Sequence, residues 1–219
     1  MSLGSGSVEI ETAETVETLV EVDGGPDDVR VEQRGREIVV APSKRLRRAR
    51  SREIKIRAPD GADAEVELAS ADLRCSGRLG EVRVRAASGD VLLDEVDGRL
   101  DVTSASGDVD VAAANAGASV RSASGDVRLR RAVGRVSITT ASGDVSIESI
   151  AEGDVELKSA SGDMRVGIAR GSRLRVDARS LSGDASSELE LGAVAPPGDG
   201  PLVELHAASM TGDIRIVRA

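Results

Sequence analysis

Apolar and polar residues alternate along most of the chain with a period of two, and glycine interrupts them every eight to ten residues from Gly80 to Gly171. Around Gly107, Ala105, Val109 and Val111 share one phase, while Ser104, Ser106, Asp108 and Asp110 take the other. Around Gly143 the sets are Ala141, Val145 and Ile147 against Thr140, Ser142, Asp144 and Ser146. Such alternation predicts half-buried strands, with the Ala, Val and Ile phase facing inward; a helix would repeat every 3–4 residues. Leu100 and Val102, Val136 and Ile138, and Val155 and Leu157 carry the same pattern between these glycines.

The interval is also fixed. Ser-Gly-Asp occurs at Ser88–Asp90, Ser106–Asp108, Ser124–Asp126 and Ser142–Asp144, each 18 residues after the last. It returns at Ser161–Asp163 and Ser182–Asp184, then as Thr211–Asp213. Half a period holds one short strand and one turn, so a full period makes one coil. A lone coil cannot bury its aliphatic face; stacked coils can, with equivalent residues about 4.7–4.9 Å apart. The predicted fold is all-β, a parallel β-solenoid of about 18 residues per coil, with right-handed winding favoured by the handedness of parallel crossovers. A β-sandwich has similar strand spacing, but its strands occupy different environments and give no reason for one recurring tripeptide.

Three segments follow. Residues 1–7 are expected to be a flexible leader or a cloning scar. Residues 8–60 form a strand-rich N-terminal part continuous with the solenoid, with apolar runs at Val8–Ile10, Val16–Val22, Val29–Val31, Ile38–Val40 and Ile54–Ile56. These strands start or cap the stack, because an open solenoid end exposes unpaired backbone that otherwise templates polymerisation. Residues 61–219 hold the repeats. Within them Pro196–Pro201 predicts a surface loop, and Ile214, Ile216 and Val217 the last strand. No helix is predicted.

Composition narrows the function. The 219 residues include no Phe, Tyr or Trp, one Cys and one His. The core must be aliphatic, and base-stacking platforms, cation–π cages and aromatic belts are excluded. One Cys forbids an internal disulfide, and Cys/His zinc spacings are absent. A net charge of −9 disfavours DNA and anionic lipid. No apolar run approaches the roughly eighteen residues of a membrane span, and the first residues lack a signal peptide. The chain as it stands is therefore expected in the cytoplasm, unless residues 1–7 replaced a native anchor. Lys44–Arg52 carries six cations and no anion, whereas residues 1–29 hold eight acids and no base. A solvated loop, paired with that acidic segment, explains the basic run better than a nucleic-acid site.

Candidate chemistry is sparse. Asp90, Asp108, Asp126, Asp144 and Asp163 should stack into one column, whose like charges need cations, arginines or N–H donors. A calcium ladder is one reading, since that ion takes oxygen ligands. The calcium-binding nonapeptide repeat, however, has Gly-Gly-x-Gly-x-Asp in every coil, and here only Ser-Gly-Asp recurs. Carboxylates bonded to local backbone explain the column better, and no metal or cofactor is expected. A polysaccharide-cleaving enzyme needs a singular carboxylate pair in a cleft, and an identical Asp in every coil singles out none. Ser104, Ser122, Thr140 and Ser159, with Ser106, Ser124, Ser142 and Ser161, resemble the hydroxyl arrays of ice-binding solenoids, but neighbouring Asp residues favour small polar residues on a tightly packed strand face. Cys75 reads as a small core residue; neither it nor His206 marks a nucleophilic site.

Ser104–Val109 and Ser122–Val127, both Ser-Ala-Ser-Gly-Asp-Val, with Val96–Leu100 and Val133–Val136 between copies, resemble the bacterial "putative adhesin" family, a domain of unknown function. The resemblance spans about residues 60–219. It implies a β-solenoid without catalytic residues, linked to the cell envelope. The expected function is a non-enzymatic interaction or scaffold module whose polar faces bind a protein or envelope partner. Two other readings are self-assembly through the solenoid ends, as dimer or filament, and a carbohydrate-active β-helix enzyme.

Overall fold

Alternating side chains oblige each strand to bury one face, and the repeat supplies the surface to bury it against. The computed structural model describes residues 2–23, 29–35, 37–42, 52–189 and 200–219, all strand, turn or irregular backbone. The N-terminal strands are β1 (Ser2–Ala13), β2 (Leu19–Val22), β3 (Val29–Arg34), β4 (Glu37–Pro42) and β5 (Arg52–Pro59). The coils comprise β6 (Ala62–Ser88), β7 (Val91–Val96), β8 (Leu100–Ser106), β9 (Val109–Ala114), β10 (Ala118–Ser124), β11 (Val127–Ala132), β12 (Val136–Ser142) and β13 (Val145–Ile150). They continue through β14 (Gly153–Ser161), β15 (Met164–Ile168), β16 (Arg173–Ser182), β17 (Ala185–Ser187), β18 (Leu202–Thr211) and β19 (Ile214–Arg218).

Seventeen of these strands form one sheet. It wraps as two parallel ladders, β6–β8–β10–β12–β14–β18–β16 and β5–β1–β6–β7–β9–β11–β13–β15–β19–β17. Val91, Val109, Val127 and Val145 are direct register partners, so like lies on like as the repeat predicts. The inward residues of both ladders form one aliphatic core, with Leu100, Leu129, Ile138 and Ile147 inaccessible to solvent.

The two ends depart from sequence order. β1 lies between β5 and β6, and β18–β19 lie between the coil β14–β15 and the coil β16–β17 that precedes them. The expected last strand, Ile214–Val217, is therefore an interior one. Residues 2–7, expected as a flexible leader, belong to β1: Ser2–Ser7 pair with Glu67–Asp72, and Ser5-Gly6-Ser7 lies on Ser70-Ala71-Asp72 as another copy of the corner. At the same end β2 runs antiparallel to β5, and the separate hairpin β3–β4 contributes Val40 to the core. Val16, grouped by sequence with the β2 run, lies outside any strand and is almost fully exposed. Lys44–Ser51 of the basic run and most of the Pro196–Pro201 loop lie outside the described residues.

Candidate functional site

The corner between the two ladders is built from Ser-Gly-Asp, and its glycine sets the geometry. Gly107, Gly125, Gly143 and Gly162 have φ between +110° and +121°, a region that costs a side chain steric strain. A Cβ on Gly143 would also lie 2.7 Å from the carbonyl carbon of Gly125 in the rung below.

This turn shifts the alternation by one residue. Before it Leu100, Val102 and Ser104 point inward; after it Val109 and Val111 do. The phase expected for the corner is corrected accordingly. Ala105, Ala123, Ala141 and Ala160 are exposed, and Ser104, Ser122, Thr140 and Ser159 are buried. Each of these four hydroxyls donates to the carbonyl two residues on, at 3.0–3.1 Å. A buried hydroxyl needs such an acceptor, so these four cannot belong to a hydroxyl face of the ice-binding kind; Ser106, Ser124, Ser142 and Ser161 are exposed.

The aspartates stack as expected and do more than decorate the surface. The Asp108 amide donates to Asp90 Oδ1 at 2.9 Å, and the amides of Asp126, Asp144 and Asp163 each donate to the carboxylate of the rung below at 2.8 Å. The ladder extends beyond the five sequence candidates. Asp72 accepts from the Asp90 amide, Asp163 from Asp213, and Asp213 from Asp184. Asp72 escaped the motif because Ala71 replaces its glycine. One oxygen of each accepting carboxylate is thus committed to backbone. Among the described residues no three His, Cys, Asp or Glu side chains are arranged to hold a metal ion.

Beside this ladder runs a shallow groove of about 230 Å3. Asp126, Asp144, Asp163 and Asp213 form one wall and Arg128, Arg165 and Arg215 the other. Arg128 lies 3.8 Å from Asp110, an ordinary cross-strand pair. Arg165 and Arg215 are direct register partners on β15 and β19, and no described carboxylate lies within ion-pair distance of either. Like charges opposite one another destabilise a sheet slightly, so an anionic group bound beside this pair would relieve repulsion.

Three other ionisable groups are shifted by their surroundings among the described residues. The Glu53 hydrogen bond and charge, with Glu9 beside it, raise the pKa of Lys55, and the Lys158 hydrogen bond and charge lower that of Glu156. Cys75 is buried in β6, and desolvation, aided by the Asp94 charge, pushes its thiol up to about 12, leaving it protonated and unreactive at neutral pH. His206 projects from β18 with Glu156 and Asp177 as its register neighbours.

A family model described as Toastrack DUF4097 matches residues 4–216. The chain belongs to this family. A solved structure from Bacteroides fragilis, described as a "putative adhesin", is 14% identical, covers 98% of this chain and 91% of its own, and superposes with a TM-score of 0.59. A "putative cell adhesion protein" from Clostridium sporogenes is 11% identical over 100% of this chain and 90% of its own, with a TM-score of 0.33. No curated protein matches. At these identities the first likeness concerns the fold. Among the described residues no helix is long and apolar enough to cross a membrane.

Proposed function

We propose that this Toastrack protein is a non-enzymatic, adhesin-like interaction module that holds an envelope component along its strand faces. The observation that carries this reading is the uninterrupted outer surface. At the corner, rung after rung presents the same exposed Ala, Ser and Asp side chains, and the groove between the Asp ladder and Arg128, Arg165 and Arg215 runs along the stack. Enzymes instead concentrate shifted titratable groups in a cleft. Among the described residues the shifted groups are a surface ion pair at Lys55, another at Glu156, and a core thiol. The name of the Bacteroides fragilis structure points the same way.

Binding of the purified protein to isolated bacterial envelope fractions tests the proposal. Retention above that of an unrelated β-solenoid is expected. It should fall in the double variant Arg165→Glu/Arg215→Glu and persist in Arg83→Glu/Arg85→Glu on the other ladder. Equal retention of the protein and the unrelated solenoid would exclude envelope binding.

A further inference from the structure

The order of the last coils carries a second inference. Along the chain the coils run β14–β15, β16–β17, β18–β19, but in the stack β18–β19 lie in the middle. We propose that the chain has a second stacking order, with β16–β17 directly on β14–β15 and β18–β19 at the end, and that this order forms first during folding.

Both orders use the same corner. The Asp163 carboxylate accepts the Asp213 amide, and the Asp184 amide occupies the equivalent place one rung further out, on Asp213. Ser182-Gly183-Asp184 therefore carries the groups needed to close directly on Ser161-Gly162-Asp163. Proximity favours that closure. Asp184 follows Asp163 by 21 residues, whereas the Asp213–Asp163 bond spans 50 residues. Short loops close at lower entropic cost, and distant contacts form later.

Burial decides the final order. Val203, Leu205, Ile214 and Ile216 are buried to 1% exposure or less in their interior coil. The end coil offers Leu174, Val176, Ala185 and Ser187 at the corresponding places; Leu174 is buried, but Val176 is only partly covered and Ala185 is exposed. The better apolar coil gains most from having neighbours on both sides, and the poorer one is left outside. The end coil even differs in its turn: Ser180 donates to the carbonyl of Gly212 in the next rung, where other coils bond two residues on. To reach the native state, β16–β17 must separate from β14–β15 and admit β18–β19.

Disulfide trapping distinguishes the orders. In the native stack Thr211 separates Ser161 from Ser182, which places their backbones about 9–10 Å apart, too far for a disulfide. In the sequential order they are neighbours. The variant Ser161→Cys/Ser182→Cys, with Cys75→Ala to remove the native thiol, is refolded from denaturant and given a pulse of oxidant at successive times. Ser124→Cys/Ser161→Cys is the spacing control, since Ser142 separates that pair by the same two rungs. Early cross-linking of the first pair severalfold above the control, falling to the control level as Ser161→Cys/Thr211→Cys cross-linking rises, is the expected result. Cross-linking of the first pair that never exceeds the control, or a native pair already complete at the first pulse, would overturn the proposal.

Discussion

At the scale of single residues, the corner glycines and aspartates do different work. Gly143 combines φ near +120° with a rung packed beneath it, whereas Gly61 has φ of +73° and open space where a Cβ would go. Gly143→Ala should therefore cost about 3 kcal/mol or more, and Gly61→Ala about 1 kcal/mol. Far-UV circular dichroism can follow the melts, since the chain has no aromatic residues to report. The ladder gives a second contrast. Asp126→Ala removes the acceptor of the Asp144 amide and should destabilise by about 1–2 kcal/mol. Asp126→Asn keeps an acceptor oxygen while removing one charge from the column. It should match or exceed the parent at low salt, with the difference shrinking as salt screens the column.

For a strand or a coil, position in the stack matters more than composition. Leu205 lies in the interior coil and is inaccessible, while its register partner Val176 lies in the end coil and is only partly buried. Leu205→Ala should cost about 2–5 kcal/mol in denaturant titration, as core truncations do, and Val176→Ala about 1 kcal/mol. Equal costs would contradict the stacking order. The shift of alternation at each corner belongs to the same scale. It was legible in principle, because Val102 and Val109 are both apolar yet stand seven residues apart and cannot share a phase on one straight strand. A Ser-Gly-Asp turn with glycine at positive φ changes which parity faces inward, and so Ser104 is buried and Ala105 exposed.

The whole molecule has an unusually simple alkaline titration. It contains three lysines, one cysteine and no tyrosine. Cys75 ionises near 9.0 when unfolded, and its folded value is raised to about 12. Its neutral form is thus favoured by the native core: the stabilisation is complete below pH 9 and is lost as pH rises toward 12. Unfolding free energy should fall over that window by a few kcal/mol, and Cys75→Ala should flatten the fall while lowering stability at neutral pH. An unchanged slope in the variant would place the alkaline loss elsewhere. Across the chain, the sequence by itself determined the coil and the vertical matching of Val91, Val109, Val127 and Val145, because a periodic row of aliphatic residues has one economical way to leave water. It also determined the Asp column, since equal spacing stacks equal residues. Only the tertiary structure decided which coil lies outermost, that residues 2–7 enter β1, and that Arg165 meets Arg215. Those outcomes depend on competition among coils bearing the same local motif, and the amount of apolar surface each can bury between two neighbours settles that competition.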